Sequence, residues 1–575
     1  MYRMKILLVY PSFLDPRQDE TDISAVPMGL YYLGAMLINH GHQVHLVNLY
    51  DPGTLPEAIL PYLDKLQPEV VGFSIVHANR WGGIDMAAAV KQADPGIITV
   101  FGGIGATFLW QHLLTHFAQI DYVVVGEGER TMTALAELLP DPPPEALAGV
   151  KGLAFRRGSE IIHTGPPDPI DNLDDLPDPA DYFTYPHVAL TRGCPENCAF
   201  CGSPAFWNRR VRFHSADYFV RQLRLLYEKG VHFFYVSDDT LTLKKDRLIA
   251  ICRAIIDQEL PITWAAISRV DMVDPEILFW MRRAGCIQIS YGVESGSETI
   301  RRQLNKRLTN DRVRQAFDWT RRYGILPRAY FIYGSPGETM ETIGESLALM
   351  ETIRPLSQIA YLLTLFPGTA LYRKFLAATG RDDDIWLERI EDLPYFETDP
   401  ALDKAEVRTW GKTLRTAFIE RLPDFIESLQ LEADPSLAAG HADFFSRLAL
   451  TFTHGDYADT PGIPDKTALA EKLYQTALAW HPDHRAYLGL GMIDQQRGDF
   501  AAAVRVLAEG LGHYPDSESL HLCLGTTYMN QQRFTAARQC FQKFPRSPQA
   551  RAYLQTCQRL EENPDPPHGN AFRND

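Results

Sequence analysis

Three cysteines stand on one short stretch, Cys194-Pro195-Glu196-Asn197-Cys198-Ala199-Phe200-Cys201, spaced C-x3-C-x2-C just after the apolar run His187 to Leu190. Thiolates are soft ligands, and three on a single loop can hold three corners of an iron–sulfur cluster. One iron then lacks a protein ligand and can take a small molecule. The competing chemistry is a structural zinc site, which needs a fourth Cys or His to close its tetrahedron. His187 and His214 are the nearest candidates for that role. The other cysteines, Cys252, Cys286, Cys523, Cys540 and Cys557, are scattered, which fits a reducing cytosol better than a disulfide framework.

Such a loop has to be carried by regular elements. Downstream of it, strands at Phe233 to Val236, Ile262 to Ile267, Ile287 to Tyr291, Ala329 to Tyr333 and Leu362 to Phe366 alternate with helices at Asp246 to Asp257, Pro275 to Ala284, Ser297 to Leu304 and Thr339 to Thr352. With the strand before Cys194 this gives six βα units, whose site is expected at the C-terminal strand ends, as in βα barrels. Polar residues gather there: Ser237-Asp238-Asp239-Thr240, Arg269, the run Gly292-Val293-Glu294-Ser295-Gly296, and Gly334-Ser335-Pro336-Gly337-Glu338. Each also has a plainer reading. Asp239 or Thr240 can open a turn or helix, Arg269 can sit in a structural ion pair, and Glu338 can be a first-turn acid.

The cysteine spacing, with Phe200 directly before the third cysteine, and these motifs in this order resemble the radical S-adenosylmethionine (SAM) superfamily. The resemblance implies an open six-stranded (β/α)6 barrel with Cys194, Cys198 and Cys201 as ligands of a 4Fe-4S cluster whose open iron binds SAM. It further implies SAM contacts from Phe200, Asp238, Asp239, Arg269, Glu294, Ser295, Gly334, Gly337 and Glu338. In the family the acidic pair meets the SAM amino group, and the Gly-Val-Glu-Ser run also contacts SAM. Arg269 suits the carboxylate, and the Gly-x-Pro-Gly-Glu turn passes beside adenine. No side chain is assigned as a catalytic acid, base or nucleophile.

The first third reads as another α/β unit. Strands at Ile6 to Tyr10, Val44 to Asn48, Val70 to Ile75, Ile98 to Phe101 and Tyr122 to Val125 are nearly continuous apolar runs separated by helices, the pattern of a doubly wound parallel sheet. Ligands of such sheets lie at the carboxyl strand ends. Here those ends carry Ser74, Gly102-Gly103 and Gly126-Glu127-Gly128-Glu129. Together these runs resemble the cobalamin-binding domain that precedes many radical SAM enzymes, which implies that Ser74, Gly102, Gly103, Gly126, Glu127 and Gly128 border cobalamin. The loop Pro11 to Asp19 lacks the histidine that ligates cobalt in better-known cobalamin domains, so the lower axial position has no assigned ligand. A degenerate domain that keeps the fold without cobalamin is the alternative.

The composition sets bounds on partners. Lys+Arg 56 against Asp+Glu 72 gives a formal charge of −16 over 575 residues, which argues against a broad grip on nucleic acid or anionic lipid. The start, Met1 to Tyr10, lacks a cleavage site, and no run reaches membrane-spanning length; a cytoplasmic protein is expected. In the last third Leu490-Gly491 recurs as Leu524-Gly525, Phe500 as Phe534 and Ala502 as Ala536, each 34 residues on, the period of tetratricopeptide repeats. Helices are also expected around Lys404 to Phe418 and Pro423 to Leu431. The expected division is 1–140 cobalamin-binding-like, 141–185 proline-rich strap, 186–380 barrel, 381–460 helical extension, 461–561 all-α repeats and 562–575 disordered tail.

The two resemblances together imply reductive cleavage of SAM to a 5′-deoxyadenosyl radical and C-methylation of an unactivated carbon by a cobalamin-dependent methyltransferase. The cofactors would carry the hard steps while the protein positions them. A donor such as flavodoxin or ferredoxin would supply electrons, and the repeats would offer a concave face to a protein or peptide. Two alternatives stand beside this: radical cyclisation or rearrangement without methyl transfer, and a non-enzymatic cobalamin- or redox-responsive scaffold.

Overall fold

The computed structural model describes residues 3–14, 26–51 and 53–562. Met1-Tyr2, the Asp15 to Asp19 part of the first loop and the tail from 563 lie outside the described residues. Two sheets organise the α/β part of the chain. The first has seven strands in the order β2-β1-β3-β4-β5-β6-β7: β1 Lys5–Tyr10, β2 Gln43–Asn48, β3 Val70–Ser74, β4 Ile98–Gly102, β5 Tyr122–Val124, β6 Leu153–Arg157 and β7 Glu160–His163. The first five are parallel, and the hairpin β6–β7 adds antiparallel at the edge. Val71, Phe73 and Phe101 are fully buried, as expected for strands covered on both faces. Each such side chain contributes roughly 1.5–3 kcal/mol by leaving water.

The second sheet is six-stranded and parallel, in the order β15-β14-β13-β12-β11-β8. Its strands are β8 His187–Val188, β11 Phe233–Val236, β12 Thr263–Ser268, β13 Cys286–Glu294, β14 Leu326–Tyr333 and β15 Ser357–Leu362. A small antiparallel pair, β9 Thr191–Arg192 and β10 Arg212–Phe213, flanks the cysteine loop. The chain thus has the expected α/β class, with sequential parallel strands and helices between them.

Two expectations shift. The last barrel strand ends at Leu362 instead of beginning there, because after Leu363 the chain leaves the sheet: the Leu365 N–H donates to the Leu393 carbonyl, on the post-barrel segment 380–400, which returns along the barrel as a second strap. Pro423 does not begin a helix but lies within Lys404–Glu427, where Asp403 caps the N-terminus by accepting from the Ala405 and Glu406 N–H groups. Proline removes one donor there without ending the helix.

Beyond this helix the fold is all-α. Helices Ala438–Thr453 and Lys466–Trp480 pack on each other, followed by His484–Arg497 with Phe500–His513 and Glu518–Asn530 with Phe534–Gln542. Small residues set the approach within the pairs: a Cβ on Gly491 would lie 2.6 Å from Leu507, and one on Gly525 would lie 2.4 Å from Phe541. One continuous apolar core runs from the barrel through Leu414, Phe445 and Tyr474 to Leu490. Among the described residues no helix is long and apolar enough to cross a membrane.

Candidate functional site

The carboxyl ends of the two sheets face one another across a cavity of about 350 Å3. Ser74, Gly102, Gly103, Gly126, Glu127 and Gly128 line it from the first sheet, and Thr191, Arg192, Gly193, Ser237 and Asp239 from the barrel side. The rest of the wall is largely apolar, with Leu30, Leu33, Ile104 and Met132. The glycines have different reasons to be there. Gly103 (φ +91°) admits no side chain, since a Cβ would lie 2.6 Å from the Ile75 carbonyl oxygen. Gly102 has ordinary extended backbone, and its missing Cβ would meet nothing closer than Val124 at 3.8 Å, so its absence leaves room in the cavity. A flat, mostly apolar ring system fits such walls, and on these grounds the residues present suit cobalamin.

The cysteine loop is fixed by backbone pairing to the barrel and the segment after it. The Ala199 N–H donates to the Leu304 carbonyl (2.8 Å), and the Ala199 carbonyl accepts from the Leu371 N–H (2.9 Å). Gly193 (φ +103°) makes the turn into the loop, where a Cβ would collide with the Arg210 carbonyl at 2.0 Å. Phe200 packs half-buried against the apolar cluster that contains Ala199 and Leu371. Burial raises the Cys198 thiol and pushes Cys201 up to about 12. Metal binding must therefore displace their protons.

Zinc fits poorly. Its four ligands at about 2.3 Å would lie roughly 3.8 Å apart. Among the described residues the three cysteine sulfurs do not all lie within 4.8 Å of one another. Neither candidate histidine joins them. His214 uses both ring nitrogens, on Tyr32 (3.0 Å) and Asp174 (3.0 Å), while His187 bonds Ser237 (3.1 Å) and stacks on Tyr235.

The acidic pair divides. Asp238 is buried and turned back toward the chain, accepting from the backbone N–H groups of Leu190 (3.1 Å) and Thr191, and burial raises it to about 7. Asp239 accepts from Ser203 Oγ (2.7 Å) and opens to the cavity. Arg269 forks onto Asp271 through Nε and Nη2 (3.0 and 2.9 Å), with Glu196 of the cysteine loop 3.9 Å away. Glu294, at the end of β13 with φ +64°, pairs in the interior with Lys306 Nζ (2.5 Å). Both of these charges, with Arg269, act on Cys198.

The remaining strand-end residues are committed locally. Ser295 is buried, its Oγ accepting from the Ser297 N–H (3.1 Å). Gly334 (φ +76°) passes Leu362 and Val407, and Gly337 (φ +69°) passes Gln303. Glu338 folds back on its own turn, accepting from the Ser335 N–H (3.0 Å), and burial raises it to about 7. The structure thus brings Asp239 together with the glycine ends around one cavity. It sets Glu294 and Arg269 by the cysteines and leaves Gly334, Gly337 and Glu338 off the cavity wall.

Several residues at the site carry no sequence signal. Arg192 donates to Glu127 (2.9 Å) and Glu129 (2.7 Å) and lies over the Tyr32 ring, and Arg212 donates to the other Glu127 oxygen (2.7 Å). Glu127, read from the sequence as a cofactor contact, therefore has both oxygens engaged by arginines from the cysteine-loop side. Lys306 was likewise unmarked. Only long-range pairing reveals these partners.

Comparisons with known proteins bear on the two domains and the fold. Residues 188–350 match the Radical SAM superfamily model, and residues 22–136 match the B12 binding domain. The chain is 29% identical over 386 residues to an uncharacterized methyltransferase of Pyrococcus horikoshii, covering 65% of this chain and 83% of that protein. It is also 29% identical over 391 residues to the anaerobic magnesium-protoporphyrin IX monomethyl ester cyclase of Cereibacter sphaeroides, covering 64% of this chain and 63% of the cyclase. The fold resembles the radical S-adenosylmethionine methyltransferase TsrM of Kitasatospora setae, with cobalamin and a [4Fe-4S] cluster bound. The TM-score is 0.58 at 15% identity, over 83% of this chain and all of that one.

Proposed function

We propose that this chain, a radical SAM enzyme joined to a B12-binding domain, methylates an unactivated carbon of its substrate. When bound, the cluster, SAM and cobalamin supply reductive cleavage of SAM and a transferable methyl group. The protein's residues hold these groups. Cys194, Cys198 and Cys201 would hold the cluster, and the glycine ends with Ser74 would border cobalamin. Asp239 would accept from the SAM ammonium, with Glu294 placed beside the cluster loop. Asp238, Ser295 and Glu338 would act at one remove by fixing the turns that carry the contacts. The apolar walls would limit water in the shared space.

One observation supports this reading: the glycine ends of the first sheet line a single cavity with Asp239 and with Thr191 to Gly193, the segment that leads into the cysteine loop. A catalytic site of this kind needs an electron donor such as flavodoxin or ferredoxin. We read the 34-residue helical hairpins as tetratricopeptide-like and as the seat of a protein or peptide partner, in a cytoplasmic enzyme. The working division assigns 1–140 to cobalamin and 186–380 to the cluster and SAM.

The test is anaerobic turnover with labelled SAM, reductant and cobalamin. Methyl transfer yields both 5′-deoxyadenosine and S-adenosylhomocysteine. The likeness to the cyclase favours a second reading, radical cyclisation or rearrangement, and 5′-deoxyadenosine without S-adenosylhomocysteine would select it. Loss of both products on Cys198→Ala separates either enzyme from a scaffold.

A further inference from the structure

Away from the cavity, the helix Gly103–His116 ends in a pair of histidines one turn apart, His112 and His116, which face Asp384 from the strap that follows the barrel. Their ligand atoms all lie within 4.8 Å of one another. Two edges are close to final: Asp384 Oδ1 is 2.9 Å from His116 Nε2 and 3.5 Å from His112 Nδ1. A tetrahedral zinc ion with ligands at about 2.0 Å has edges of about 3.3 Å.

A second observation points to a ligand. The His112 side chain is 2% exposed; Nε2 has no hydrogen-bond partner, and Nδ1 has only the long 3.5 Å approach to Asp384. A buried polar group left without a full partner destabilises the fold. Asp384, shared with His116, reaches Nδ1 only at 3.5 Å, whereas a cation held at Nδ1 would give that nitrogen a full partner. His116 (27% exposed) and Asp384 (56%) reach solvent, which gives an entry path and an open coordination position.

The carboxylate is independently positioned. Asp382 caps its turn by accepting from the Asp384 N–H (3.0 Å), Tyr372 donates to Asp383 (2.7 Å), and buried Trp386 donates to Tyr372 (2.8 Å). Among nearby charges, Arg80 opposes a cation at His112 but is itself bound to the Ile390 carbonyl (2.6 Å).

We propose that His112, His116 and Asp384 bind a divalent transition cation of the zinc type, which ties the first domain to the post-barrel strap. Imidazole and carboxylate donors suit such a metal, and this donor set contains no sulfur. The same segment begins at Gly103 on the cavity wall and is kinked at Leu109, so the clip would hold the turn beyond the kink.

The test titrates zinc into the full chain with its iron–sulfur cluster reconstituted, using a chromophoric competitor and zinc-edge X-ray absorption. One zinc per chain with only nitrogen and oxygen neighbours is expected. Affinity should fall at least about 100-fold in His116→Ala and in Asp384→Asn, yet persist in Cys198→Ala. Zinc should also raise the melting temperature of the parent chain but not of His116→Ala. Sulfur in the zinc shell, equal affinity in the parent and both variants, or no binding below about 100 μM would overturn the proposal.

Discussion

Removing the Arg192 side chain should weaken the tie between the two cofactor domains. Its guanidinium is 11% exposed and joins Glu127 and Glu129, 65 and 63 residues away in sequence. Burial works against its charge, but Glu129 and Glu127 more than offset this and hold its pKa above the ordinary arginine value. In Arg192→Met, Glu127 keeps Arg212, while Glu129, whose side chain is 4% exposed, loses its ion pair. Breaking a buried pair in this way costs about 3–5 kcal/mol. In Arg192→Met/Glu129→Gln the stranded charge is gone, and an apolar group facing a neutral amide costs far less. The double-mutant cycle should therefore give a coupling of about 2 kcal/mol or more. Urea unfolding of the full chain, followed by tryptophan fluorescence at its first transition, reads it, with Trp207 beside Arg212 as a reporter. A coupling below about 0.5 kcal/mol, the additivity expected of independent sites, would refute the claim that this pair joins the domains.

Gly102→Leu should leave the fold intact, because the backbone is unstrained, and should reduce cobalamin retention measured by bound absorbance; Gly103→Ala should instead lower the melting temperature, since Ile75 blocks its Cβ. Glu338 is raised to about 7 in the folded chain, so the folded state holds the proton more tightly than the unfolded one. Its contribution to stability is full below about pH 4.5 and is lost as pH rises through about 7, on the order of 3 kcal/mol in all. Glu338→Gln should therefore melt higher than the parent at pH 8 and no higher at pH 4, as thermal scans at both values would show. Glu294→Gln should weaken SAM binding at least about tenfold by equilibrium dialysis while iron content stays unchanged.

The central strands were readable because strands buried on both faces are continuous apolar runs, as in Val70–Ser74. The last barrel strand was set too late because Leu363 and Leu365 are buried too, and the pattern cannot tell burial under a strap from burial in a sheet. Helix Ala438–Thr453 lies within the expected helical extension but had no bounds of its own, since it opens on Ala-Ala-Gly with no side-chain cap. At the site, cysteine spacing and strand-end glycines were legible because local backbone geometry demands them. The partners of Glu294 and Glu127 were not, because Lys306, Arg192 and Arg212 meet them only through the tertiary fold.

The central claim is that one cavity serves two cofactors, and metal content tests it most directly. Full-length protein expressed anaerobically with added cobalamin should carry about four iron, four sulfide and one cobalt per chain. Iron should disappear in Cys198→Ala and cobalt in Gly102→Leu. Four irons without retained cobalt would contradict the two-cofactor account, and sulfur-bound zinc in place of iron would contradict the cluster itself.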